Sequence, residues 1–336
     1  MSTHHTDTLL NTLLDANARF DLKAKGTTNH LPMALVALAR MGASPERLQA
    51  YFDMWSREYA LPAPAVDTRI ARGDWRRHVG DGKAFGALRL CFVDWIGDEG
   101  ATAVIVAVLK QMPLAPASGA FHAVIRLAYG IEAAHDGEIA AALAALVSGH
   151  LPIEIDPASR PRAERIDTAF VQAARAIDKR EISGDFITDR LRVVARHPRF
   201  REALLAPPET DRLLDEIAAA AIAAYWRAPD FTVLHTVTAT HASRLLFAQL
   251  PPELVERSLP ELWVALCAAY ASIEVPLDVD KPLPRVDADW DEILRRAVLA
   301  DDEHVIKMSY TCWREYQRDP SPLYLASAAR RVEIID

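Results

Sequence analysis

Five of the eleven histidines in this 336-residue sequence, His30, His122, His235, His241 and His304, lie within or at the start of apolar segments with helical spacing. The segments read NHLPMALVAL, GAFHAVIRLAYGIE, FTVLHTVTATHASRLL and DDEHVIKMSYTCW. Any one of them alone reads as a core histidine bonded to a neighbour, because buried polar groups find partners. Five on four segments ask for more, since an imidazole buried without a partner costs about 1–3 kcal/mol. A metal ion between facing helices is a partner they could share, each helix projecting one ligand inward. Imidazole suits iron, copper, zinc or nickel, and these apolar faces carry little of the clustered Asp or Glu that magnesium or calcium would need. No HExxH and no Cys/His pairing is present, so such a site must be assembled over long sequence distances.

Two further groupings could take part in chemistry. His122 and Tyr129 are seven residues apart and share a helix face, with Glu132 one turn beyond Tyr129 and rotated off it. Glu132 is the carboxylate expected near the histidines, and Tyr129 with Glu132 reads equally as a catalytic pair or as an ordinary buried hydrogen-bonded one. His304 and Lys307 are three apart and neighbours on one face. Lys307, between Ile306 and Met308, either snorkels to the surface or is buried with a lowered pKa, available for a Schiff base or for carbamylation. Tyr310 and Trp313, on the same segment, are candidates for lining a pocket or for core packing. The other six histidines, His4, His5, His78, His135, His150 and His197, sit beside termini, charges, Gly or Pro and read as solvated loop or helix-end residues without function.

The elements that must position these residues are helices. Ala, Leu, Arg and Glu dominate, and strand-like alternation is almost absent. The pattern predicts helices over 6–20 and from Pro32 to Met41, then one capped by Ser44 ahead of the Leu48, Tyr51, Phe52 and Trp55 stripe. Others follow over 84–96, 98–111, 118–134, 137–148, 160–177, 185–196, 209–225, 231–249, 252–271, 288–299, 301–317 and 322–332. Segments 139–147 and 217–225 are apolar on nearly every face, as helices deep in a large α-protein are. The Pro- and charge-rich stretches 150–163 and 273–287 are the long connections. The expected fold is all-α, one large multi-helix assembly over residues 1–336 with a central buried site.

Composition removes several classes. Thirty-eight basic against 46 acidic residues give a formal charge of −8, without the basic excess of a nucleic-acid binder. The longest small-apolar run, Ile217 to Trp226, is about half the roughly 20 residues a bilayer span needs, and the N-terminal residues lack a signal-peptide pattern. Three scattered cysteines, Cys91, Cys267 and Cys312, build no disulfide framework and point to a reducing, cytoplasmic setting.

Taken in order, NHLPMALVALARMGAS at 29–44, GAFHAVIRLAYGIE at 119–132, FTVLHTVTATHASRLL at 231–246 and DEHVIKMSYTCWREY at 302–316 resemble the questin oxidase-like family. The resemblance runs from about residue 20 to about residue 330, in the manner of a compact bacterial relative of longer fungal members. It implies oxidation of polycyclic aromatic ketones of the anthraquinone type, with ring opening. Two chemistries are described in the family: NADPH-dependent Baeyer–Villiger oxidation, and dioxygenation at a non-haem iron. The chain has no GxGxxG and no βαβ pattern, which favours the second. For that version the resemblance implies iron held by His30, His122, His235 and His304 together with a carbamate on Lys307. It leaves His241, six residues from His235 on another helix face, as a donor behind the ligands or a substrate contact. The expected partners are dioxygen and a small aromatic substrate, with Tyr129 orienting a substrate hydroxyl or bound oxygen. The competing readings are a metal-free NADPH monooxygenase, a zinc hydrolase, and a helical protein whose histidines only pack or bind metal.

Overall fold

The computed structural model describes residues 2–335, with side chains from residue 5, so His4 lies outside the described side chains. Among the described residues the chain forms helices α1 (Ser2–Asn17), α2 (Leu31–Arg40), α3 (Pro45–Glu58), α4 (Phe85–Glu99), α5 (Ala101–Gln111), α6 (His122–Glu132), α7 (Asp136–Ser148) and α8 (Ile166–Arg175). These are followed by α9 (Ile187–Arg196), α10 (Pro198–Ala203), α11 (Leu213–Arg227), α12 (Phe231–Phe247), α13 (Pro252–Ala271), α14 (Trp290–Leu299), α15 (Glu303–Arg318) and α16 (Pro322–Arg331). The fold is all-α apart from a small antiparallel sheet of β1 (Phe20–Ala24), β2 (Thr27–Thr28) and β3 (Ala60–Pro62), ordered β2-β1-β3.

Several helices begin where side-chain caps place them. Arg47 N donates to Ser44 Oγ at 3.3 Å at the start of α3, as expected. Asp230 accepts from Thr232 N and Val233 N to open α12, and Asp302 accepts from His304 N and Val305 N to open α15. The helix expected over 6–20 stops at Asn17 instead, because Phe20–Ala24 is taken up by strand pairing with Ala60–Pro62. The helix expected over 160–177 begins only at Ile166, and α10 was not expected. Residues 63–84, with two 3₁₀ turns, form a further long connection beside the two expected. His135 and His197 are helix-end residues as read, but His135 is buried: its Nδ1 accepts from Glu138 N to cap α7.

Four helices define the architecture around the histidines. α2 packs on α6, α6 on α12, α12 on α15, and α15 back on α2, closing a ring. All four run the same way. His30 and His122 meet at their starts, while at their far ends Arg40 Nη2 donates to the Glu132 carbonyl at 3.1 Å. Two turns along α6, α12 and α15 from their histidines, Tyr129 and His241 flank Tyr310, with ring centroids at 6.0 and 6.4 Å. Parallel neighbours require long crossovers, which is why the four segments lie so far apart in sequence.

A contiguous apolar cluster runs from Leu10 to Val332 and supports this ring. α7, buried from Glu138 to Ser148, packs behind α6 and against α4. Gly130 makes that approach possible, since a Cβ there would lie 3.0 Å from Ile139 N and 3.2 Å from the Glu138 carbonyl carbon. Gly130→Ala must push two backbones apart and should cost about 1–3 kcal/mol. A thermal unfolding scan reads this directly, and an unchanged melting temperature would contradict the close packing. No helix among the described residues is long and apolar enough to cross a membrane, and the three cysteines are free and buried.

Candidate metal centre

Each helix of the ring delivers one histidine from its N-terminal end. His30 is the N-cap of α2, His122 is the first residue of α6, His235 lies early in α12 and His304 is the second residue of α15. The Nε2 atoms of His30 and His122 are 2.7 Å apart, and those of His122 and His235 are 3.2 Å apart. The His304 ring lies 4.8 Å from that of His30 and 5.5 Å from that of His235, centroid to centroid. Ligand atoms of His30, His122 and His304 all fall within 4.8 Å of one another. His122 is the hub, touching the imidazoles on both neighbouring helices.

The opposite ring nitrogens are all engaged elsewhere. His122 Nδ1–H donates to the Gly119 carbonyl and His235 Nδ1–H to the Phe231 carbonyl, both at 2.7 Å. His30 Nδ1 lies 2.9 Å from Glu303 Oε1 and 3.3 Å from Thr27 Oγ1. His304 Nδ1 faces Asp302 at 3.5 Å and Glu303 at 3.8 Å, while its Nε2 is buried without a partner. These partners assign the proton to Nδ1 and leave the Nε2 lone pairs converging, the arrangement seen around protein-bound metals.

The segment that aims His122 is strained. Ala120 and Phe121 have φ of 54° and 71°, in the left-handed region that residues with a Cβ disfavour. Each such residue costs on the order of 1–3 kcal/mol and persists only where its surroundings hold it. The turn places the Gly119 carbonyl under His122 Nδ1.

Electrostatics keep the cluster neutral. Burial pushes His30 and His235 well below the usual imidazole range and His122 down to about 3; His304 is lowered as well. Lys307, one turn past His304, adds a further downward push on all four. Lys307 is itself buried, and desolvation takes its ammonium down to about 8 against the attraction of Glu303 and Asp302. Four helix N-termini meeting at one place act in the same direction, disfavouring imidazolium and favouring an anion.

The questin oxidase-like profile matches residues 27–229 and 216–312, which include all four ring histidines, Glu303 and Lys307. The chain belongs to the questin oxidase-like family. Membership implies an oxidoreductase. No curated protein matches the chain.

In this questin oxidase-like protein the donor set suits a transition metal on an observation of its own. A neutral imidazole has one N–H, and at His30, His122 and His235 it is committed at Nδ1, so the 2.7 and 3.2 Å contacts set lone pairs against each other. A cation between them resolves the conflict: metal–nitrogen bonds of about 2.0–2.1 Å at right angles put nitrogens about 3 Å apart.

The remaining expected residues form a separate layer two turns further along the ring. Glu132 lies here rather than beside the histidines, and accepts a hydrogen bond from the Tyr310 hydroxyl, with Arg314 at 3.5 Å. Tyr129 and Glu132 are therefore not a bonded pair. The Tyr129 hydroxyl is buried near Thr311 without a partner in hydrogen-bond geometry. His241 Nδ1 faces Glu315 Oε1 at 2.7 Å, and Arg244 ties Glu315 to Asp215. His241 Nε2 is buried and unpartnered. Trp313 is half-buried, packed against the core and 6.2 Å from Tyr310. The carboxylate that does reach the imidazoles is Glu303, which the sequence reading passed over. Phe231 was missed too: half of its surface is exposed, and its ring packs edge-on against His235 and His304 at 4.8 and 4.6 Å.

Proposed function

We propose that this protein is a non-haem iron oxygenase that uses dioxygen to oxidise and open a ring of a polycyclic aromatic ketone or quinone. His30, His122, His235 and His304 would hold the metal, with an oxygen ligand from a carbamate on Lys307. The observation that carries the reading is the convergence of imidazole Nε2 atoms whose Nδ1 partners are already supplied. Iron, when bound, supplies the one-electron chemistry toward dioxygen that no side chain here provides.

The chain's own contribution is positioning and protection. Gly119 and Phe231 carbonyls and Glu303 hold three imidazoles in one tautomer and one orientation. Lys307, with a pKa of about 8, is about a tenth neutral at pH 7, and the neutral amine is the form that attacks carbon dioxide. In that step a bond forms between Nζ and the carbon of carbon dioxide, and a proton leaves Nζ, giving an anionic carbamate. The negative group then sits where four helix N-termini favour it. Phe231 shields the outer edge of the cluster from water while presenting an aromatic face to an arriving flat ring.

Metal analysis of protein made with iron supplementation, paired with oxygen uptake on a hydroxyanthraquinone, tests the reading. Bound iron and oxygen uptake without NADPH are expected. Zinc occupancy with no oxygen uptake, or metal-free uptake that needs NADPH, would overturn it. Lys307→Ala should lower the iron content, and unchanged loading in that variant removes Lys307 from the ligand set.

A further inference from the structure

Tyr310 is the buried centre of the second layer in the helical ring, two turns beyond the histidines. Its side chain is wholly enclosed, and its hydroxyl donates to Glu132 Oε1 while accepting from Arg314 Nη1 at 3.4 Å. Glu132 keeps its other oxygen, Oε2, buried and unpartnered, so the carboxylate can take a whole proton without giving up another bond. Burial, followed by the charge of Glu132, pushes the Tyr310 phenol well above its usual range, which keeps the proton on the ring oxygen in the resting protein. An electron leaves such a phenol readily only when the proton moves to Glu132 in the same event.

The ring also stands in a line that leads from the cluster to solvent. Trp313, one turn on, lies 6.2 Å away centroid to centroid and is half-buried, so it joins the sealed layer to the surface. On the inner side Tyr310 is one turn past Lys307 and six residues past His304, about 9 Å along α15. Tyr129, at 6.0 Å, does not extend the line. Its buried hydroxyl has no partner to receive a proton, so oxidation there would leave a charged ring in an apolar setting.

We infer that Tyr310 is a one-electron relay between the histidine cluster and the protein surface, with Glu132 as its proton acceptor and Trp313 as its outlet. The relay rests on the metal reading above. When dioxygen reacts at the centre with no aromatic substrate bound, the one-electron oxidant left there takes an electron from Tyr310. The phenolic proton passes to Glu132 Oε1, which leaves a neutral phenoxyl radical beside a carboxylic acid. Trp313 then supplies an electron, Glu132 returns the proton, and Tyr310 is a phenol again. A soluble thiol or ascorbate reduces the indole radical cation at the surface. One electron has moved from solution to the centre, and the imidazoles are spared.

Flash-generated tris(bipyridine)ruthenium(III) tests the relay from the outside and needs no bound metal. Of the eight tyrosines, Tyr59 and Tyr316 are the two that are not buried, so the test uses a background carrying Tyr59→Phe and Tyr316→Phe. Freeze-quenched electron paramagnetic resonance should then show a tyrosyl radical that falls at least fivefold in Tyr310→Phe and in Trp313→Phe. Glu132→Gln still accepts the hydroxyl but cannot take its proton, so it should lose the tyrosyl signal and keep an indole one, an effect that a purely structural bond would not give. Tyr270→Phe is the control, because that buried hydroxyl meets only the neutral Thr236 and should leave the signal unchanged. No tyrosyl radical in the background protein, or an undiminished one in Tyr310→Phe or Trp313→Phe, overturns the relay. The second arm holds iron-loaded protein in air without substrate and follows histidine oxidation by mass spectrometry. Oxidation at His30, His122, His235 and His304 should run at least threefold faster in Tyr310→Phe than in the parent, and equal rates would overturn the link to the centre. Protein that takes up no iron defeats the iron reading, whereas the flash result fails or holds without it.

Discussion

His122→Ala should yield protein that purifies without iron and consumes no oxygen. His122 is the one imidazole in contact with two others through Nε2, at 2.7 Å to His30 and 3.2 Å to His235. Removing a group that only supports a ligand already lowers metal affinity by about 10–100-fold, so loss of the hub ligand should exceed about 100-fold. The metal-free stability of the variant makes the prediction sharper. In the parent, extracting the metal leaves opposed lone pairs and should lower the melting temperature. In the variant that conflict is gone, so its melting temperature should match or exceed that of the metal-stripped parent despite the lost side-chain volume. His241→Ala is the control, since His241 sits two turns away against Glu315 and should leave iron content intact. Full iron loading in His122→Ala would remove the hub from the ligand set and, with it, the proposed site.

The second large effect is acid lability of the metal-free protein. His30, His122, His235 and His304 all have folded pKa values below the unfolded value near 6.5, chiefly because burial penalises the charged ring. Below pH 6.5 the unfolded chain therefore takes up protons that the folded chain refuses, and stability falls as pH falls. Each histidine held well below the usual range contributes about 1.4 kcal/mol per pH unit, so His30, His122 and His235 together give roughly 4 kcal/mol per unit, with His304 adding in the same direction. Whole domains have only about 5–15 kcal/mol to lose, so unfolding should set in near pH 5. Lys307 has its window elsewhere: with a folded value of about 8, its penalty is fully present below pH 8 and is relieved as pH rises toward 10.5. Urea midpoints at pH 7, 6 and 5 on chelator-treated protein measure the slope. A midpoint flat across that range would mean that the imidazoles are not buried as neutral groups. Iron-loaded protein should resist acid further, because protons must displace the metal before they reach Nε2.

What could be read from the residues follows from which costs are local. Imidazole on an apolar helix face is costly wherever the helix goes, so His30, His122, His235, His241 and His304 all stand out in the sequence, although His241 docks against Glu315 rather than in the cluster. Lys307 stood out for the same reason, an ammonium between Ile306 and Met308. Glu303 did not, because in DDEH an acid at a helix start reads as a cap, and its neighbour Asp302 does serve as one. Only the docking of α15 on α2 carries Glu303 to His30. Glu132 was misplaced because spacing along α6 says nothing about which helix stands opposite, and the Tyr310 hydroxyl arrives from α15. The β1 strand escaped notice because its five residues gain their pairing from β3, beyond two intervening helices.

One contact has a consequence for how the molecule is made. The rings of His30 and His304 lie against each other although nearly the whole sequence separates them. A ribosome must release residues past 307 before the last imidazole and the lysine arrive, so no nascent fragment holds the complete cluster. The cluster is completed only once α15 has followed α2, α6 and α12, the helices that carry the other three imidazoles. A single proteolytic cut ahead of α15 would sever the chain between His304, Glu303 and Lys307 and the other three imidazoles.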